Sequence, residues 1–214
     1  MYSSNCLKSF RRSQRILDLP IELQSIRTSS ESGPFREFPS GDWHLDPGQF
    51  PKLDFTTLVY DIARSENRNI VLYCPRLYNL YEFLIGELSF RGGRAPSGFR
   101  RQRFGQWERL EIKDSATATE IWFAGEPHLV RERPTHFDGC NVLVTMNKDN
   151  PIDWIVDWAR YHNIHHAAEA ALIFDNGSTG YSRSELEREL IDKTNLSYVL
   201  IVCADLPYGW SRNL

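Results

Sequence analysis

The hydrophobic pattern of the chain changes period part-way along. Up to about residue 136 the apolar residues come in short runs rich in β-branched and aromatic types. TTLVYDIA (56–63), NIVLYC (69–74), QWERLEIK (106–113) and TEIWFAGE (119–126) each predict a strand, with Ser65-Glu66-Asn67 breaking the first two apart. Between them Leu77, Leu80, Tyr81, Leu84 and Leu88 recur at helical spacing and predict an amphipathic helix over about 77–89, ended by Arg91-Gly92-Gly93. Beyond residue 137 the strands become continuously apolar: NVLVTM (141–146), ALIF (171–174) and YVLIVCA (198–204). IDWIVDWARYHNI (152–164) places Ile152, Ile155, Val156 and Ala159 on one helical face, with Pro151 at the first turn. SRSELERELIDK (182–193) predicts a second helix, opened by Ser182 with Glu185 three residues on. Strand, helix, strand, helix, strand with continuously apolar strands predicts a parallel sheet covered on both faces.

The stretch TSSESGPFREFPSGDWHLDPGQFP (28–51) is rich in Ser, Gly and Pro and predicts loop or linker. The expected organisation is an N-terminal segment and linker over 1–54, a smaller β-rich α+β module with one helix over 55–136, and an α/β domain with a parallel sheet over 137–214. No internal repeat is visible.

Composition narrows the functional classes. At 214 residues and 41% hydrophobic content the chain buries a real core, and a net charge of −3 gives no global pull toward nucleic acid or anionic membrane. Electrostatic partners must therefore be read from local clusters. Cys6, Cys74, Cys140 and Cys203 are far apart, with no CxxC or Cys/His ligand spacing, so buried free thiols in a reducing compartment are expected rather than a disulfide framework or zinc site. No window approaches the roughly 20 apolar residues of a membrane span. A cytoplasmic protein is expected, or one peripheral to the inner membrane.

The candidate chemistry concentrates at the ends of two predicted strands. In an open parallel sheet, ligands bind beyond the carboxyl ends of the strands, where loops vary and helix N-termini present positive dipole ends. Thr145, Asn147 and Asp149 follow the first apolar strand, and Asp175, Asn176, Gly177 and Ser178 follow the second. A carboxylate and an amide there pair with a base or with sugar hydroxyls, and Gly177 permits the tight turn. The alternative is that DNGST only makes a strand-to-helix turn. A second cluster, RGGRAPSGFRRQR (91–103), holds Arg94, Arg100, Arg101 and Arg103 with no acidic residue inside it. It reads as a solvated loop or as an anion-binding loop, where Phe99 and Phe104 add stacking surface. His162, His165 and His166 fit the C-terminal end of a helix dipole, with metal ligation as the sharper alternative, and Trp154 and Trp158 are expected to pack on the sheet.

The segment NVLVTMNKDNPIDWIVDWARYHNIHHAAEAALIFDNGSTG resembles the opening of family 2-like glycosyltransferases with the GT-A fold, through Asp157-Trp158, Tyr161-His162 and Asp175 to Thr179. The resemblance implies that residues 137–214 begin a Rossmann-like GT-A domain. It implies that Thr145, Asn147, Asp175 and Asn176 line the site for a nucleotide-sugar, usually UDP-linked, with Asp175 accepting hydrogen bonds from the base or ribose. The implied activity is sugar transfer to a glycan or lipid-linked acceptor, as in polysaccharide biosynthesis, with a divalent cation, Mn²⁺ or Mg²⁺, neutralising the diphosphate. Gly180 stands where the family commonly has Asp. No Asp-x-Asp occurs between Asp175 and Leu214, so the chain is expected to be the N-terminal portion of a longer enzyme or a truncated product, inactive alone. The other expectation is a non-catalytic module that binds nucleotide or polyanion.

Overall fold

The computed structural model describes residues 21–29, 32–37, 53–113, 115–132, 135 and 137–204. Cys6, Asp205, most of the N-terminal segment, residues 38–52 of the expected linker and the C-terminal YGWSRNL lie outside the described residues. The chain forms two compact units, one holding described residues 23–132 and the other 21–22 with 135–204.

The first unit is built from antiparallel sheets. β2 (Ile26–Arg27) pairs with β3 (Thr57–Val59). The main sheet has the order β4-β5-β8-β7, from β4 (Asp61–Arg64), β5 (Ile70–Pro75), β7 (Phe99–Phe104) and β8 (Trp107–Ile112). A smaller sheet joins β6 (Leu88–Ser89), β9 (Glu120–Phe123) and β10 (Glu126–Leu129) in the order β10-β9-β6. TEIWFAGE is thus not one strand. Ala124 and Gly125 both take positive φ, 47° and 87°, which turns the chain into a two-residue hairpin. The helix α1 (Leu80–Glu87) starts later than its apolar period, because Tyr78 at φ 47° breaks the helical path, yet Leu77, Leu80, Leu84 and Leu88 all enter the core with Ile62, Leu72 and Leu110.

The second unit carries the parallel strands β11 (Val142–Asn147), β12 (Ala170–Asp175) and β13 (Tyr198–Cys203), with the two-residue β1 (Ile21–Glu22) beside β13. The helices α2 (Ile152–His166) and α3 (Arg183–Lys193) form the crossovers. Because β11, β12 and β13 follow one another in one direction across the sheet, two right-handed crossovers carry both helices to the same face. One cluster accordingly holds Ile155, Val156 and Ala159 of α2, Leu186 and Leu190 of α3, and Ala171, Ile173, Val199 and Ile201 of the sheet. On the opposite face of β11, Val144 and Met146 are 60% and 73% exposed.

These findings correct the expected α/β fold with a Rossmann-like GT-A start. Among the described residues most strand pairings are antiparallel and there are three helices, and the parallel sheet is short and helix-covered on one face. The strand order has no reversal across β11, β12 and β13, and a reversal is what opens the ligand crevice of a doubly wound sheet. The continuous apolarity of NVLVTM misled because β11 is the last strand of its sheet, where an apolar run does not require two covered faces. Trp154 corrects a second expectation: it is 69% exposed, while Trp158 is half-buried against the α2–α3 cluster. Of the cysteines, Cys74 is buried, but Cys203 is exposed at the end of β13. Among the described residues no helix is long and apolar enough to cross a membrane.

Local signals at α3 are realised in full. The Ser182 side chain accepts the Glu185 N–H, and the Glu185 side chain returns to the Ser182 N–H, a complete capping box. Tyr181, just before the cap, packs with Leu186 in the same cluster as a hydrophobic staple. We expect Ser182→Ala to lower the stability of this unit by about 0.5–2 kcal/mol in urea unfolding, with its fold unchanged.

Candidate functional site

The parallel register decides the site. Asn147 stands directly opposite Asp175 on the neighbouring strand, and both share a face with Thr145, Leu143 and Ile173, the face that α2 and α3 cover. In a strand–helix–strand crossover the helix runs back along the sheet, so the helix N-termini lie at the strands' carboxyl ends, where these side chains are. Asn147 is 3% exposed and its amide is fully engaged. Its Nδ2 donates to Asp175 Oδ1 at 2.7 Å and to the Tyr181 hydroxyl, and it lies 3.3 Å from Ser178 Oγ; its Oδ1 accepts from Asn150 Nδ2 at 2.9 Å. Asp175 Oδ1 also accepts from Ser178 Oγ at 2.5 Å, and Oδ2 accepts the Ser178 N–H at 3.0 Å. Gly177 turns the chain at φ 72°, a left-handed conformation that a glycine adopts without steric cost.

A second tie joins the same two turns. Asp149, itself at φ 51°, accepts through Oδ1 the N–H of Thr179 at 2.6 Å and that of Gly180 at 3.3 Å, while its own N–H donates to Ser178 Oγ at 2.8 Å. The Thr179 N–H holds the Asp149 carboxyl below the usual carboxylate range, and the Gly180 N–H adds to this. Asn147, Asp149, Asp175 and Ser178 therefore meet in one hydrogen-bonded cluster. Asn176 is buried and bonds through its N–H to the Asn147 carbonyl at 2.8 Å, continuing the ladder rather than facing outward. Thr145 is half-buried, its hydroxyl 3.2 Å from the Met146 carbonyl oxygen.

Sequence reasoning missed Tyr181 as a partner of Asn147. The signal for Tyr181 was its place one residue before the Ser182 cap, where a large apolar residue packs back on the helix and so carries its hydroxyl to the strand ends. Four residues of the resemblance, Asp157, Trp158, Tyr161 and His162, lie along α2, and the histidines are toward its C-terminal end. Asp157 is paired with Arg160 at 2.8 Å, and the Tyr161, His162, His165 and His166 rings lie within 4.6 to 5.8 Å of one another in successive contacts. Among the described residues no group of three His, Cys, Asp or Glu side chains is placed to hold a metal ion.

The arginines separate rather than form one patch. Strand alternation in β7 puts Arg101 and Arg103 on one face and Arg100 on the other. Glu108 of β8 is fully buried and meets Arg101 Nε at 2.6 Å, Arg76 Nε at 3.2 Å and Arg103 Nε at 4.0 Å, and accepts the Leu77 N–H at 3.3 Å. Arg101 also lies over the Tyr81 ring, and Arg94 over that of Phe90. The sequence contained no acidic residue within 91–103, but the hairpin partner supplies one across the strand.

Two outcomes test this geometry. Glu108→Ala, which leaves Arg101 without its buried counter-charge, is expected to destabilise the antiparallel unit by about 3 kcal/mol in denaturant unfolding. For Asp149, a depressed folded-state value means that its contribution is present above the unfolded value of about 3.9 and is lost as pH falls through the folded one. The Thr179 and Gly180 amide resonances should therefore titrate with a midpoint below that of an ordinary aspartate, and a midpoint at or above it would refute the bond. No protein-family model, curated protein or solved structure matches the chain, so the functional reading rests on this geometry.

Proposed function

We propose that the parallel-sheet unit is a nucleotide-binding module for a sugar nucleotide, UDP-linked, held at the carboxyl ends of β11 and β12. The observation that carries this reading is the cluster of Asn147, Asp149, Asp175 and Ser178 on the helix side of the sheet, the last residues of two strands and the turns that follow them, near the start of α2, whose N-cap supplies no side-chain bond. The 15-residue α2 follows its N-cap Pro151, which makes no side-chain cap bond, and such a helix end favours an anion like a diphosphate. Asp149 is exposed and spends one carboxylate oxygen on the neighbouring turn, leaving Oδ2 as an acceptor for ribose hydroxyls. In this reading Asp175 acts by holding Asn147 and Ser178 in place, since its own oxygens are engaged within the chain.

Sugar transfer to a glycan or lipid-linked acceptor is the reaction that the resemblance implies, and it comes with a divalent cation. The described residues do not assemble a metal's ligand set, so no step is assigned to one and nucleotide binding is the function proposed. Isothermal titration with UDP, with and without Mn²⁺, tests it. We expect binding in both conditions, and Asp175→Ala, verified as folded by circular dichroism, to lose about 1.5–3 kcal/mol of it through the unmade bonds of Asn147 and Ser178. No binding of UDP or any other nucleoside diphosphate to the native chain would refute the proposal.

A further inference from the structure

We propose that the antiparallel unit has a second, separate binding site, a cavity on the polar face of the β4-β5-β8-β7 sheet that takes a small ligand carrying an oxyanion and a planar ring. The cavity has a volume of about 540 Å³, within the range of small-molecule sites. Its walls come from β4, the turn after it, β5, β7, β8 and the segment at Arg131, which bridges onto β4 at Ala63. The register explains the composition. Asp61 faces Tyr73 and Tyr73 faces Arg109 across the strands, while Glu111 faces Arg100, so one face of four strands gathers both charges and an aromatic ring.

Charge pairing then singles out the binding group. Asp61 is taken by Arg131, Glu111 by Arg109 at 3.4 Å and by Asn69 Nδ2 at 3.0 Å, and Glu132 by Arg64 at 3.4 Å. Arg100 lines the same cavity with no ion pair or side-chain hydrogen bond among the described residues. Arg131 keeps a buried Nε–H that lacks an acceptor. The lining balances four arginines, Arg64, Arg100, Arg109 and Arg131, against four acids, Asp61, Glu66, Glu111 and Glu132, so the anion-binding group is one residue, Arg100, whose guanidinium fork a carboxylate or phosphate fits.

The ring follows from what adjoins the charges. Tyr73, a wall of the cavity, lies 6.2 Å from the Trp107 ring, which stacks on Phe104 at 4.2 Å. All three are between 36% and 40% exposed. Three neighbouring aromatic side chains left open beside an anion-binding pocket form a surface on which a flat ring stacks while its anionic group reaches Arg100. A lining without excess positive charge and the net charge of −3 favour a single small ligand over an extended polyanion.

The test uses the full chain, with amide chemical shifts followed while phenyl phosphate, benzoate, inorganic phosphate or a dT decanucleotide is added. We expect saturable shifts in β7 and β8 with phenyl phosphate or benzoate, and weaker binding of inorganic phosphate, which has no ring. Whichever of the first two binds more tightly identifies a phosphate or a carboxylate ligand. Arg100→Gln should weaken that binding by about tenfold, the scale of one charge-assisted contact, whereas Arg103→Gln on the opposite face should leave it within about twofold. Trp107→Ala should reduce binding of the ring-bearing probes toward that of inorganic phosphate. Absence of saturable shifts with every small probe, equal loss in the Arg100 and Arg103 variants, or tighter binding of the decanucleotide than of any small probe would overturn the proposal.

Discussion

The end of the parallel sheet depends on one cross-strand hydrogen bond. Parallel pairing sets Asn147 against Asp175, and the amide of one donates to the carboxylate of the other at 2.7 Å. Everything beyond the strands is referred to that bond. Ser178 closes on Asp175 from the β12 side, Asn150 on Asn147 from the β11 side, and Tyr181 brings the start of α3 to the same amide. Buried polar groups of this kind are costly if one partner is lost, because the remaining donors and acceptors have no water to turn to. The carboxylate at the end of a buried strand is thus first an organiser of two turns, and it is an organised edge that a ligand requires. Pre-set donors and acceptors bind without the entropic cost of ordering them at the moment of contact.

The antiparallel unit solves a related problem with charge. Glu108 is buried at the centre of a sheet whose neighbouring strand carries arginines at alternate positions, and strand alternation delivers Arg101 and Arg103 to it while turning Arg100 away. A buried carboxylate without such partners would pay a desolvation penalty that no nearby apolar contact offsets. The same alternation that stabilises one face therefore leaves a cation, Arg100, unmatched among the described residues on the other. Structural and ligand-binding uses of the arginines are not alternatives for the cluster as a whole; they divide residue by residue along β7.

How far the sequence carried this picture depends on the range of the interaction that each feature needs. Elements set by local signals were legible: the Ser182–Glu185 box, Pro151 at the start of α2, and the Ser65-Glu66-Asn67 break between β4 and β5. The convergence of Asn147, Asp149, Asp175 and Ser178 was legible too, because parallel strands joined by helices present their carboxyl ends to one edge. Sheet order was not. Nothing in NVLVTM states that β11 lies at the edge of its sheet, and both helices on one face or one on each are equally compatible with the period of the apolar residues. The pairing of Arg101 with Glu108 was hidden for a similar reason, since it needs the β7–β8 register and not the composition of either strand.

Having both helices on one face also changes what kind of site the edge makes. A doubly wound sheet encloses its ligand between loops that diverge at a reversal of strand order. Here the two turns leave adjacent strands in the same sense and are tied to one another by Asp149 and Ser178, so they form a continuous rim rather than two lips of a crevice. A rim presents donors and acceptors to one side of a ligand and leaves the other side in water. Its bonds are weakened by solvent competition more than those of an enclosed pocket would be. The arrangement accordingly suits recognition of polar edges, such as those of a base, ribose or diphosphate, better than the exclusion of water that group transfer demands. Binding is therefore the reading proposed for this edge.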